Sequence, residues 1–379
     1  MAESKPKFLI LGGLGFIGRN LVKHLIDQNA ASKIRVADKA IPETAFLSDH
    51  FMQYIQHPSV ERIQCNLSNP MQCTRAFKDD HFDYVVNLAA ETKYGQDDTV
   101  YKQHIFDLAV NVGRNVEEHK PLKFIHVSTA QIYDADKKPA KETSKVKPWT
   151  KLALYHKQAE DELKKMSIPL IIIRPAIVYG PADTSGLTPR FICAAVYKHL
   201  GEKMKFLWSA DLKMHTVHVR DVCGAILHLC LRGNPGEVYN LADKTDTDQG
   251  KINDFLGILF RIETGFVGSA MSTMAKLNMK STVEGVNDKH CQPWSEMCKA
   301  ASITNTPLSP FLPQELLYNT PLSVDGTKIE GTGFVYQHPM MTPVLVKEVV
   351  DGYILQGMFP QPKDYPRPTP IPPPSFETK

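Results

Sequence analysis

The chain has 379 residues, 42% of them hydrophobic, and a net charge of +3 spread along its length. That is enough apolar material for one large domain and a smaller one. The mixed charge excludes the massed basic footprint of a nucleic-acid binder. No run of about 18 apolar residues is present, so no membrane-spanning helix is expected.

The N-terminal residues pass straight into a short apolar run, Phe8 to Gly13, which is no secretory leader. Seven scattered cysteines fit a reduced, cytoplasmic compartment better than a disulfide framework. His290, Cys291 and Cys298 lie near one another but lack the paired spacing of a zinc site, so no metal is expected.

In chain order, Lys7–Gly12 reads as a first strand. Phe16–Gln28 carries apolar residues at helical spacing. Further strands are expected at Ile34–Asp38, Arg62–Leu67, Tyr84–Ala89, Phe124–Ser128 and Leu170–Arg174, most of them separated by helical stretches. This alternation predicts an α/β, Rossmann-type doubly wound parallel sheet over residues 7–182. Val217–Val219 and Val238–Leu241, within 217–243, are expected to return to it. Residues 183–216 and 244–345 lack that alternation and read as a smaller substrate domain. Helical periodicity over Thr342–Gly357 predicts a closing helix at about 346–359. Residues 360–379 hold eight prolines in twenty positions and predict an extended, mobile tail. Arg367, Pro370 and Pro373 match a proline-rich ligand pattern for a protein module of the SH3 type.

Gly12, Gly15 and Gly18 recur at three-residue intervals between the first strand and the first helix. A tight turn there needs residues without a Cβ, and a phosphate must approach the backbone closely. The N–H groups of Phe16 and Ile17 then open the helix with a partial positive charge. Asp38 ends the next strand twenty residues beyond Gly18. There a carboxylate can accept from ribose hydroxyls. The combination predicts a bound dinucleotide. The carboxylate favours NAD over NADP, with Lys39 softening its repulsion of an extra phosphate.

Other segments resemble the extended short-chain dehydrogenase/reductase family, in its branch of NAD-dependent epimerases and dehydratases. Asn87-Leu88-Ala89-Ala90 is similar to a segment that lines the cofactor there. Asn66-Leu67 stands where an Asp-Leu pair meets the adenine. His126-Val127-Ser128-Thr129 looks like the segment carrying a catalytic hydroxyl. Arg174-Pro175-Ala176-Ile177-Val178-Tyr179-Gly180-Pro181 and Val217-His218-Val219-Arg220-Asp221-Val222 match two later runs. The resemblance spans residues 7 to about 245. It implies that Leu88, Ala89, Ala90 and Pro175 border the cofactor and that Thr129 meets the substrate oxygen. It also implies oxidation of a secondary alcohol, first of all on a nucleotide sugar, with a hydroxysteroid as the alternative. Many relatives pair as homodimers.

One element of that pattern is broken. The family's acid/base is a tyrosine with a lysine four residues later, so that both share a helix face. Aligned on Pro148 and Ala159-Glu160, the tyrosine position holds Leu152 and the lysine position holds His156. A shift by one residue keeps Lys157 but places Ala153 at the tyrosine. Tyr155, His156 and Lys157 therefore stand as candidates on this helix, with Lys93 and Tyr94 as further groups within reach. Two readings remain open: an oxidoreductase or epimerase with an unusual acid/base, and a binding or scaffold protein that keeps NAD for structure or sensing.

Overall fold

The computed structural model describes residues 5–136, 138–372, 374 and 376. Strand β1 (Lys7–Leu11) turns through the glycines into α1 (Phe16–Asp27). There follow β2 (Lys33–Asp38), α2 (Asp49–Ile55), β3 (Val60–Gln64), α3 (Pro70–Phe77) and β4 (Tyr84–Asn87). Helix α4 (Asp98–Tyr101) continues through a π-helical turn, Lys102–Asp107, into α5 (Leu108–His119). Then come β5 (Lys123–Val127), α6 (Lys151–Leu163), β6 (Leu170–Pro175), β7 (Ile177–Tyr179) and α7 (Thr188–Leu200). The chain goes on through β8 (Met204–Phe206), β9 (Thr216–His218), α8 (Val219–Arg232), β10 (Val238–Leu241) and α9 (Gln249–Phe260). It ends in β11 (Thr264–Phe266), α10 (Ser269–Leu277), α11 (Met279–Ala300) and α12 (Pro343–Leu355).

Seven strands form one sheet in the order β3-β2-β1-β4-β5-β6-β10, with every neighbouring pair parallel. Strand β1 shows why both faces are covered. Phe8 and Ile10 enter the core shared with α1 and α8, while Leu9 and Leu11 enter the core shared with α3, α5 and α6. Successive side chains point to opposite faces, so a strand apolar throughout must be buried on both.

A third core gathers helices from the second half of the chain, with Phe191 and Val196 of α7, Leu256 of α9, Trp294 of α11 and Val349 of α12. The region 244–345 is thus more helical than its sequence suggests. Helix α11 buries Met279, Val283, Asn287, His290, Trp294 and Met297. The spacing is helical, but two polar residues sit on the buried face and mask it. Asn287 is there because it closes a pair of hydrogen bonds with the backbone of Leu312.

Three further boundaries differ from expectation. Strand β3 ends at Gln64 because Asn66 begins a turn, its Oδ1 accepting from the Ser68 N–H. Only β10 returns to the main sheet; β9 pairs with β7 instead, Val217 opposite Val178. Pro175 has no N–H with which to prolong the ladder of β6. Ile329, Phe334 and Tyr336, expected in the substrate domain, pack in the sheet core.

The described part of the proline-rich tail is extended and makes specific contacts. Tyr365 is buried against Phe260 and donates to Asp351 of α12. The Thr369 N–H also binds Asp351, and Phe376 packs edge-on against Tyr54. These contacts engage Tyr365, Thr369 and Phe376 among the described residues of the tail. Pro373 of the SH3-type pattern lies outside the described residues.

Candidate active site

The strand order reverses between β1 and β4, and crevices outside the C-terminal ends of strands at such a switch are where α/β sheets bind ligands. The glycine turn lies there. Gly12 has φ +80° and the backbone of Ala89 against it; a Cβ would lie 2.8 Å from the Ala89 nitrogen. At Gly18 a Cβ would meet the Gly12 carbonyl oxygen at 2.3 Å. Loop, helix and strand β4 therefore close up only around glycine. The first N–H groups of α1, at Phe16 and Ile17, have no acceptor within the helix.

Asp38 braces the turn from β2: its Oδ2 accepts from the Leu14 N–H at 3.0 Å and its Oδ1 from the Ala40 N–H at 3.0 Å. Arg19, unnoticed in the sequence, clamps the other side by donating to the carbonyls of Leu14, Gly15, Ala45 and Phe46. Burial lowers its pKa to about 10, so it remains charged. Glycines, helix end and acid fit the pyrophosphate and ribose of a dinucleotide. At the far end, Leu67 is buried in the sheet core, and Asn66 is occupied by its turn.

Beside this cradle lies a cavity of about 320 Å³. Phe16, Ile17, Leu88, Ala90, Thr129 and Pro175 all face it. The outer wall comes from segments that follow β8 and is largely apolar, with Leu207, Trp208, Leu212 and Leu317. Asp183 shapes the approach to α7 by accepting from the N–H groups of Ser185, Gly186, Leu187 and Thr188. This sets Arg190 on the cavity wall.

The helix candidates part company here. Leu152 and His156 line the cavity. Tyr155 does not: it stacks on Tyr101 with ring centroids 6.0 Å apart. Lys157 points outward to an ion pair with Asp161. Tyr155, three residues beyond Leu152, packs against the same small core of Leu152 and Tyr101 without reaching the cavity, and Lys157 lies on another face, so neither replaces the family's tyrosine or lysine. His156 is on the right face but uncharged. Burial, then the neighbouring His126, lower its pKa to about 3. At neutral pH it cannot supply the lysine's cation. Thr129 caps the short helix Ala130–Ile132, its Oγ1 accepting from the Gln131 N–H at 3.2 Å.

Lys93 does not line the cavity, but Tyr94 does. The buried Tyr101 fixes the loop, donating to the Lys93 carbonyl at 2.9 Å and accepting from the Gln96 N–H at 3.2 Å. Gln131 Nε2 donates to the Tyr94 hydroxyl at 2.7 Å. Burial pushes the Tyr94 phenol up to about 12, with Gln131 and Arg190 working against the rise. Among the described residues, no three His, Cys, Asp or Glu side chains converge as metal ligands, and no helix is long and apolar enough to cross a membrane.

Comparison with known proteins agrees with this geometry. Residues 8–242 match the sequence profile described as "NAD dependent epimerase/dehydratase family". The dTDP-D-glucose 4,6-dehydratase of Homo sapiens is 24% identical over 299 residues, 75% of this chain and 79% of that one. An uncharacterized protein of Schizosaccharomyces pombe is 22% identical over 67% of this chain and 81% of its own length. Among solved structures, the Bordetella bronchiseptica enzyme WbmG in complex with NAD and UDP superposes with a TM-score of 0.67 at 18% identity, covering 94% of this chain and 97% of that one. The UDP-N-acetylglucosamine 4-epimerase of Methanobrevibacter ruminantium gives 0.68 at 17% identity, covering 93% and 99%.

Proposed function

The chain belongs to the NAD dependent epimerase/dehydratase family, and from that membership we propose that it is an NAD(H)-binding oxidoreductase or epimerase. Its substrate is a secondary alcohol, or the matching ketone, on a nucleotide sugar. Its acid/base is not the usual helix tyrosine. One observation carries the reading: the mouth of the glycine cradle, the strand ends at Leu88 and Pro175, and Thr129 open on the same cavity. The relatives named for dTDP-glucose and UDP-sugars support the substrate class.

Bound NAD would supply a hydride acceptor, and in its reduced form a donor. The residues do the rest. Backbone N–H groups of the turn and of α1 hold the pyrophosphate. Asp38 accepts from a ribose hydroxyl and repels the extra phosphate of NADP. Thr129 holds the substrate oxygen, while the apolar wall keeps water out.

A second reading rests on that wall. Leu207, Trp208, Leu212 and Leu317 suit an apolar ring system, as in a hydroxysteroid. A third, an NAD-binding scaffold or sensor without turnover, rests on Leu152 in the tyrosine position.

The test is a melting scan with NAD and NADP, followed by turnover on nucleotide sugars and hydroxysteroids. A ligand bound only by the native state raises apparent stability. A shift with NAD and turnover on a nucleotide sugar, lowered by Thr129→Ala with little change in NAD affinity, support the proposal. Turnover confined to hydroxysteroids selects the second reading. A shift without turnover selects the third.

A further inference from the structure

Helix α6 brings no proton-transfer group with a usable charge to the cavity, yet a phenol stands close to the vacated position. Leu152 forms a small core with Tyr101 and Ile105, and Tyr94 packs against that core from the loop after β4. On this footing, which rests on the function proposed above, we infer that Tyr94 is the acid/base of the site and that Gln131 aims it.

The hydrogen-bond chain fixes the direction. Thr150 caps α6, its Oγ1 accepting from the Ala153 N–H at 3.0 Å. Its own proton therefore goes to Gln131 Oε1, 3.1 Å away. A glutamine amide whose oxygen is taken in this way turns its NH₂ to the other partner. That partner is the Tyr94 oxygen, at 2.7 Å. Having accepted from Gln131, the phenol keeps its O–H hydrogen for the cavity. The arrangement is that of a proton donor held from behind. Arg190, on the same wall, offers the positive charge that His156 lacks.

In the reducing direction, a bound reduced nicotinamide would supply hydride, with its electron pair, to the carbonyl carbon. The Tyr94 O–H bond breaks, its proton goes to the carbonyl oxygen, and the phenolate remains. In the oxidising direction, the phenolate takes the alcohol proton as the C–H bond gives up its electron pair as hydride, which bound NAD⁺ would accept. Burial keeps the phenol protonated at neutral pH, the form that serves the reducing direction.

The test uses the full chain with and without NAD⁺ and follows phenolate absorbance as pH rises. The nicotinium charge stabilises a nearby phenolate. In the wild type and in Tyr155→Phe, NAD⁺ should move one phenol titration to lower pH. In Tyr94→Phe that shift should vanish while the melting shift with NAD stays. Persistence of the titration shift in Tyr94→Phe, or its absence in the wild type, overturns the assignment. With a working substrate, Tyr94→Phe should cost a factor of about 10²–10⁴ in kcat, the range for general acid–base catalysis. Gln131→Leu should lower kcat far more than it changes KM. Unchanged turnover in Tyr94→Phe sinks the role of Tyr94 but leaves the oxidoreductase standing. A titration shift lost in Tyr94→Phe in a protein that turns over no substrate does the reverse: Tyr94 stands beside the nicotinamide, and the hydride-transfer function fails.

Discussion

Arg174 at the end of β6 and Glu160 on α6 face each other inside the core, Nε to Oε1 at 2.9 Å, with a second bond from Nη2 to Oε2. Tyr133 joins them, accepting from Arg174 at 2.8 Å and donating to Asn240 of β10 at 2.7 Å. Glu160 lies one turn beyond His156, so this pair sets the rotation of α6 that delivers Leu152 and His156 to the cavity. Burial opposes ionisation of Glu160, but the guanidinium outweighs it and holds the carboxyl below its usual range.

Removing one partner leaves the other charge buried alone, which typically costs about 3–5 kcal/mol. Arg174→Met should lose that much in urea unfolding. Arg174→Met combined with Glu160→Leu should lose less than the single change. A double variant as damaged as the sum of the two single variants would speak against a coupled pair.

The buried histidines predict acid sensitivity with a definite sign. His156 titrates near 3 and His126 near 4 in the folded protein, because burial disfavours their charged forms. An unfolded histidine titrates near 6.5. Between these values the unfolded chain binds more protons, so stability is full above about pH 6.5 and falls as the pH drops toward 3. One such group adds a slope of about 1.4 kcal/mol per pH unit in that window. His156→Gln should flatten the dependence of unfolding free energy on pH by about that amount between pH 4 and 6. An unchanged slope would mean that His156 is not buried as described.

The glycine turn predicts a loss of cofactor without a need for charge changes. Gly12→Ala forces a left-handed φ on alanine, at about 1–2 kcal/mol, and drives its Cβ into the backbone of Ala89. NAD affinity by calorimetry should fall at least about tenfold, since the cradle must open to relieve the contact. Retained affinity would place the pyrophosphate elsewhere.

Selectivity between the two dinucleotides should rest on Asp38. The wild type should bind NAD at least about tenfold more tightly than NADP, because a carboxylate beside the ribose repels a 2′-phosphate. Asp38→Ser removes the repulsion and should narrow the ratio. It should also lower stability modestly, since the Leu14 and Ala40 N–H groups lose their shared acceptor. A ratio that does not move would leave Asp38 only its bracing role.

Much of the fold is legible because local patterns repeat. The apolar runs of β1, β4, β5 and β6 and the three-residue glycine spacing follow from steric rules that act over a few residues. Helix α11 is less legible, because Asn287 and His290 occupy its buried face and are satisfied, or packed, only through segments far along the chain. The tail shows a related effect: its eight prolines do not reveal that Tyr365 and Thr369 find Asp351 on the closing helix, a contact between segments that no local pattern marks.

The sequence by itself determined the parallel sheet, the dinucleotide cradle with its acid, and the vacancy at the tyrosine position, since each depends on residue type at fixed spacing. Only the tertiary structure decided what faces the vacancy. Helix rotation, set by the Arg174–Glu160 pair, turns Tyr155 and Lys157 away and brings in His156, which burial then neutralises. Of the phenols packed beside Leu152, the one that also lines the cavity, Tyr94, comes from a different loop, and its orientation passes through Gln131 and Thr150, fixed by hydrogen bonds between segments that meet only when the chain folds.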